Sequence, residues 1–104
     1  VTRGDIYRVR LSTGRGHEQR GPRYGIIVQA DALLGLSTAI IAPTSRNAAP
    51  ATFRPDVQVA GDLTRVLVEQ LRAVDLQRLA EHVGRLAAHE HRAVDEALEL
   101  VLGL

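Results

Sequence analysis

Residues 14–28 read GRGHEQRGPRYGIIV, and the fold turns on how this stretch changes character. As far as Pro22 it is polar, charged and glycine-rich, with no face to bury, and reads as loop. Ile26-Ile27-Val28 is apolar on consecutive positions, which predicts a strand covered on both faces. Arg23 stands at the junction. A guanidinium held at the edge of a strand stays in place while the neighbouring loop opens and closes, and its fork matches phosphate oxygens in pairs.

Working outward, the whole loop spans residues 12–22, longer than a hairpin needs, which favours a functional loop over a plain connection. Before it, Tyr7, Val9 and Leu11 alternate with Arg8 and Arg10, the period of a half-buried strand with two arginines outside. After it, residues 24–30 form the central strand. Residues 37–45, STAIIAPTS, form another, with Ile40 and Ile41 in the core and Pro43 marking its end or an edge. Residues 52–59 make a strand interrupted by Pro55, and residues 65–74 one further strand with Val66, Val68, Leu71 and Val74 inward. Asp75 caps a short helical turn at 76–80, and residues 82–86 return to strand. From Ala87 the period becomes helical, with Val94, Ala97, Leu98 and Val101 on one face. Five or six short strands and one late helix predict a mainly β fold, a small, strongly bent barrel with a C-terminal amphipathic helix.

Composition narrows the function. At 104 residues the chain reads as a single domain, 1–104, short enough for a partner copy to add stability. There is no cysteine, so disulfides and thiolate metal sites are excluded. No apolar run approaches a membrane span and no secretion signal is visible, so the expected location is the cytoplasm. All 13 basic residues are arginine, a pattern that coding bias explains. Their distribution is uneven: residues 1–54 hold eight arginines and three acids, residues 55–104 five and nine. A basic front half suits an anionic ligand.

Neither a Gly-x-Ser-x-Gly nor a P-loop is present, and His89 and His91, two apart on a helix, do not share a face, so no metal site is expected. That leaves Arg23, Thr44, Ser45, His17, Glu18 and Gln19. Cleaving RNA needs no protein nucleophile, because the ribose 2′-hydroxyl attacks its own phosphate. The protein orients that attack, neutralises charge on phosphorus and moves protons. Arg23 suits the charge role, a hydroxyl of Thr44 or Ser45 the phosphate contact, and His17 titrates near neutrality.

Five pieces occur in order: Arg3-Gly4-Asp5-Ile6-Tyr7, Gly16-x-Glu18-Gln19, Arg23 before an apolar strand, residues 38–45 (TAIIAPTS), and Glu69-Gln70-Leu71-Arg72 with Asp75 and Arg78-Leu79. With residues 94–98 (VDEAL), this order resembles the MazF/PemK family of toxin endoribonucleases along nearly the whole chain. The resemblance implies an SH3-like barrel, a homodimer and a cognate antitoxin. It also implies sequence-selective cleavage of single-stranded RNA without metal or cofactor, to 2′,3′-cyclic phosphate and 5′-hydroxyl ends. It puts the family's catalytic arginine on Arg23 and its hydroxyl on Ser45, or on Thr44 if the strand is shifted by one. The loop carrying His17, Glu18, Gln19 and Arg20 would close over the substrate. Tyr24 would stack a base or serve the core, and Glu69 and Gln70 would orient the arginine or end a strand. Two departures are visible: Arg23 is followed by Tyr24 where the family usually has proline, which leaves Arg20 as a substitute, and Pro-Thr-Ser stands where many members have Pro-x-Thr-Ser. The alternatives are a gyrase-binding toxin of the CcdB kind, dependent on its C-terminal helix, and a degenerate toxin that binds RNA or antitoxin without turnover.

Overall fold

The computed structural model describes residues 1–10 and 23–104. The expectations for His17, Glu18, Gln19, Arg20 and Leu11 lie outside the described residues. Among those described, seven strands run in chain order: β1 (Asp5–Val9), β2 (Arg23–Ile27), β3 (Thr38–Ser45), β4 (Asp56–Val59), β5 (Asp62–Val66), β6 (Arg72–Asp75) and β7 (Leu79–Arg85), followed by the helix α1 (Ala88–Leu102). All pairings are antiparallel, with β2 and β1 central, β7 beyond β1, and β6 and β5 sharing one side of β3.

Curling follows from this connectivity. β6 and β7 border opposite sides of the β3-β2-β1 sheet, yet only the 3-10 turn Leu76–Arg78 joins them. So short a link reaches both borders only if the sheet rolls toward closure. Arg10 N donates to Arg78 O and Leu76 N to Ser37 O, pinning that link at both ends. The expected small barrel is the result, with Asp75 capping the turn through Gln77 N as its position predicts.

Consecutive apolar residues serve two cores. Val9, Ile27, Ala39, Ile41 and Val74 fill the barrel, joined by Tyr7, Leu34, Leu76 and Leu79. Ile6, Ile26, Ala42, Val57, Val59, Val66, Val68, Leu86, Val94 and Ala97 form a second core on the outer face, beneath α1 and the β4-β5 hairpin. This is why Ile26-Ile27 shows no polar alternation: each residue faces a different core. Gly25 faces the barrel core so closely that a Cβ there would meet Ile41 Cδ1 at 2.7 Å and Val9 Cγ2 at 2.9 Å.

Three strand expectations are corrected. Residues 65–74 are two strands, not one: β5 ends at Val66, a 3-10 turn covers Val68–Gln70, and β6 begins at Arg72. The chain crosses there from one half of β3 to the other, with Leu67 N bonded to Pro43 O. Apolar alternation continues through the crossing and hides it from the sequence. Pro43 does not end β3, which runs on to Ser45. It falls between the half paired with β6 (Thr38–Ile41) and the half paired with β5 (Thr44, Ser45), where a missing donor is tolerated. Ile40 is not core: it is 39% exposed, since only its neighbours Ala39 and Ile41 point into the barrel.

The helix docks through the residues that open β1. Arg3 Nη2 meets Asp95 Oδ1 at 2.6 Å and its Nε donates to Val28 O. Asp5 is buried and accepts from Thr2 N at 2.8 Å and from Arg85 Nη1 at 2.7 Å, with His82 Nε2 at 3.4 Å. Glu90, also buried, accepts from Ala87 N at the start of α1 and from Gln58 N on β4, so one carboxylate satisfies a helix end and a strand edge. Among the described residues no helix is long and apolar enough to cross a membrane.

Burial raises the Asp5 carboxyl's pKa, but Thr2 N–H, Arg85 and His82 more than offset this, and the folded value lies below the ordinary 3.8. A lowered folded pKa gives stability that is complete above the unfolded value and lost as pH falls through the folded one. Melting followed below pH 4 is therefore expected to show acid destabilisation that Asp5→Asn lessens, with the variant about 1–3 kcal/mol less stable than the parent at pH 7. Parallel melting profiles of parent and variant against pH would contradict this role.

Candidate active site

Arg23 opens β2 and Ser45 closes β3, and the ladder between them fixes their relation. Gly25 pairs with Pro43, Ile26 with Ala42 and Ile27 with Ile41. Carried two residues further, this register opposes Tyr24 to Thr44 and Arg23 to Ser45. Thr44 Oγ1 donates to Tyr24 O at 3.4 Å, a weak bond that accords with the extension. Directly opposed residues of an antiparallel pair share a face. Arg23 and Ser45 thus lie on the barrel-side face, at the rim, in line with Val9, which pairs with Arg23. Thr44 and Tyr24 lie on the other face. Tyr24 packs against the outer core, and Thr44 is opposed by Val66 of that core.

The two hydroxyls of the motif, Thr44 and Ser45, thus face opposite sides of β3. Both hydroxyls are buried, each 5% exposed. Ser45 Oγ accepts from Asn47 N at 3.2 Å, a turn that folds the chain back as it leaves β3.

The segment after Ser45 is clamped by two arginines. Arg65 Nη1 donates to Ala48 O at 2.9 Å and Arg54 Nη1 to Ala49 O at 3.0 Å. Arg54 also sends Nε and Nη2 to Glu69 Oε2, at 3.0 and 2.6 Å, with its guanidinium 5.5 Å from the centre of the Phe53 ring. Burial pushes the Glu69 carboxyl up, yet the Arg54 bond leads the contacts that hold it below the usual range. Glu69 thus serves Arg54, a partner the sequence reading did not consider. Gln70 lies exposed at the end of the 3-10 turn. Among the described residues no cluster of three metal-ligating side chains occurs.

The small curled barrel brings an arginine and a hydroxyl to opposed positions at its rim, a pairing that suits contact with phosphate oxygens. Residues 2–102 match the family described as PemK-like, MazF-like toxins of type II toxin-antitoxin systems. The chain belongs to that family. It is 38% identical over 106 residues to a candidate toxin of Mycobacterium tuberculosis, covering 100% of this chain and 99% of the other. It is 34% identical over 113 residues to the endoribonuclease EndoA of Bacillus subtilis, covering 100% and 96%. Among solved structures, an endoribonuclease of a mycobacterial species in complex with its cognate antitoxin superposes with TM-score 0.84 at 17% identity, covering 100% and 96%. MazF of Deinococcus radiodurans superposes with TM-score 0.80 at 24% identity, covering 100% and 97%. These two likenesses establish the fold.

Proposed function

We propose that this toxin is an endoribonuclease that cuts single-stranded RNA by attack of the 2′-hydroxyl on the adjacent phosphorus. The observation that carries the reading is the β2–β3 register, which, extended two residues past Gly25 and Pro43, sets Arg23 opposite Ser45, in a chain 34% identical to an endoribonuclease. The 2′-oxygen forms a bond to phosphorus and the bond to the 5′-oxygen breaks, leaving a 2′,3′-cyclic phosphate and a 5′-hydroxyl. The 2′-proton passes to a base and the departing 5′-oxygen takes one up. Arg23 supplies two parallel donors to the non-bridging oxygens as their charge grows, and Ser45 Oγ supplies a third. Nucleophile and leaving group both belong to the RNA, so the step needs no cofactor. His17, Glu18, Gln19 and Arg20 belong to the same reading as substrate contacts, as do Tyr24 and Gln70, and His17 is its candidate base. A cognate antitoxin is the expected inhibitor and a homodimer the expected state in solution. The cytoplasm, where RNA and antitoxin are found, is the expected location.

The test is incubation of the protein with mixed single-stranded RNA in EDTA, with product ends identified by mass. Cyclic phosphate ends are expected; intact RNA would remove the ribonuclease reading and leave antitoxin binding or gyrase binding to be assayed. The two hydroxyls separate by facing. Ser45→Ala is expected to slow cleavage ~10–10²-fold through loss of one donor. Thr44→Val, on the opposite face, is expected to cost about 1 kcal/mol of stability, with cleavage retained. Cleavage lost in Thr44→Val and kept in Ser45→Ala would reverse the assignment.

A further inference from the structure

The row of opposed residues does not stop at Ser45. Ser45 pairs with Arg65 of β5, and Arg65 pairs with Asp56 of β4. With the β2–β3 register extended to Arg23 and Ser45, the residues Leu79, Val9, Arg23, Ser45, Arg65 and Asp56 form one lateral row across six strands. Neighbouring strands are ~4.8 Å apart, so the Arg23 and Arg65 backbones are separated by about 10 Å, with the Ser45 hydroxyl between them. Arg65 alternates with Thr64 and Val66, both buried on the opposite side, so its own side chain is directed to the exposed side of the hairpin.

The guanidinium of Arg65 is held but not consumed. Nη1 is anchored on Ala48 O at 2.9 Å, and Nε faces Asp56 Oδ1 at the longer distance of 3.4 Å. The Asp56 side chain is 56% exposed, so solvent screens the pair and leaves it weak. An arginine fixed by one main-chain contact has little side-chain freedom left to lose on meeting an anion. Among the described residues, Arg65 flanks Ser45 on the side away from Arg23.

We propose that Arg65 is a second phosphate-binding arginine, taking the phosphate next to the scissile one, so that the RNA backbone crosses the sheet along the row from Arg23 over Ser45 to Arg65. This rests on the ribonuclease reading above. Arg65 thereby sets the direction of the strand across the rim, and Asp56 is a built-in competitor for its charge.

The test is steady-state cleavage of single-stranded RNA by the full chain at several salt concentrations. Arg65→Gln is expected to raise KM roughly tenfold with kcat little changed. The slope of log kcat/KM against log salt becomes shallower by about 0.7, the loss of one single-strand phosphate contact. Arg65→Lys keeps the charge and is expected to restore the slope, and Asp56→Asn is expected to lower KM. A structural role in clamping Ala48 would move kcat or the melting temperature and leave the salt slope as it was, and that outcome overturns the proposal. If Arg65→Gln does not fold, Asp56→Asn decides: an unchanged KM counts against the proposal. RNA left uncut by the parent protein removes the ribonuclease reading and this inference with it. Cleavage with an unaltered slope in Arg65→Gln removes this inference alone.

Discussion

Arg23→Ala is expected to slow RNA cleavage ~10²–10³-fold while leaving the melting temperature close to that of the parent. The guanidinium stands at the first position of β2, where strand pairing with Val9 fixes the backbone that carries it. In the proposed reaction negative charge accumulates on the non-bridging oxygens only as the 2′-oxygen closes on phosphorus. A donor pair already aimed there stabilises the transition state more than the bound RNA, so its loss lowers kcat rather than raising KM alone. Arg23→Lys is expected to recover only part of the rate, because an ammonium is a point charge and cannot present two parallel N–H groups. Single-turnover cleavage beside a thermal melt separates chemistry from folding. Full activity in Arg23→Ala would remove Arg23 from the mechanism and bring Arg20 forward.

Gly4→Ala is expected to be the most damaging single methyl for stability at any glycine of the described residues. Gly4 has φ of +92°, and a Cβ there would lie 2.1 Å from His91 Nε2. Two costs add: a backbone conformation that side chains rarely adopt, about 1–3 kcal/mol, and overpacking against α1, about 1–3 kcal/mol. Together they amount to about 2–6 kcal/mol, a large share of the ~5–15 kcal/mol that holds a typical domain folded. Gly4 cannot move aside, since its N–H donates to Ile27 O and its carbonyl accepts from Leu86 N, tying β1 to β2 and to the segment that enters the helix. The double variant Gly4→Ala/His91→Ala is expected to regain the packing part and keep the conformational part. Denaturant unfolding of both measures the split; equal losses in the two would mean that the clash with His91 is relieved at no cost.

The Arg3-Gly4-Asp5 motif thus has a structural explanation. Arg3 reaches Asp95, Gly4 admits His91, and Asp5 gathers Arg85 and Thr2. Together they fasten the terminal helix to the barrel. The sequence showed the motif and the helical period of Val94, Ala97, Leu98 and Val101, but not that one docks the other. Glu90 shows the same limit: it reads as one more acid on a polar face, yet it is buried because Gln58 N and Ala87 N converge on it.

What the sequence determined by itself is local. The change from charged loop to Ile26-Ile27-Val28 places Arg23 at the start of a strand, and consecutive apolar residues require cover on both faces. The shift to a 3.6-residue period after Ala87 gives α1. The order of motifs points to the family that the comparisons establish. Tertiary structure decided everything that depends on register. Thr44 and Ser45 are adjacent hydroxyls whose neighbours differ by pairing, Thr44 opposed by Val66 of the outer core and Ser45 by Arg65. Arg65 is an unremarked arginine until β5 pairs with the far half of β3. Glu69 is committed to Arg54 by a loop closure that no periodicity encodes. A side chain's face follows from alternation within its own strand, but its neighbours follow from pairing between strands distant in the chain, and that pairing is fixed only when the sheet curls around its core.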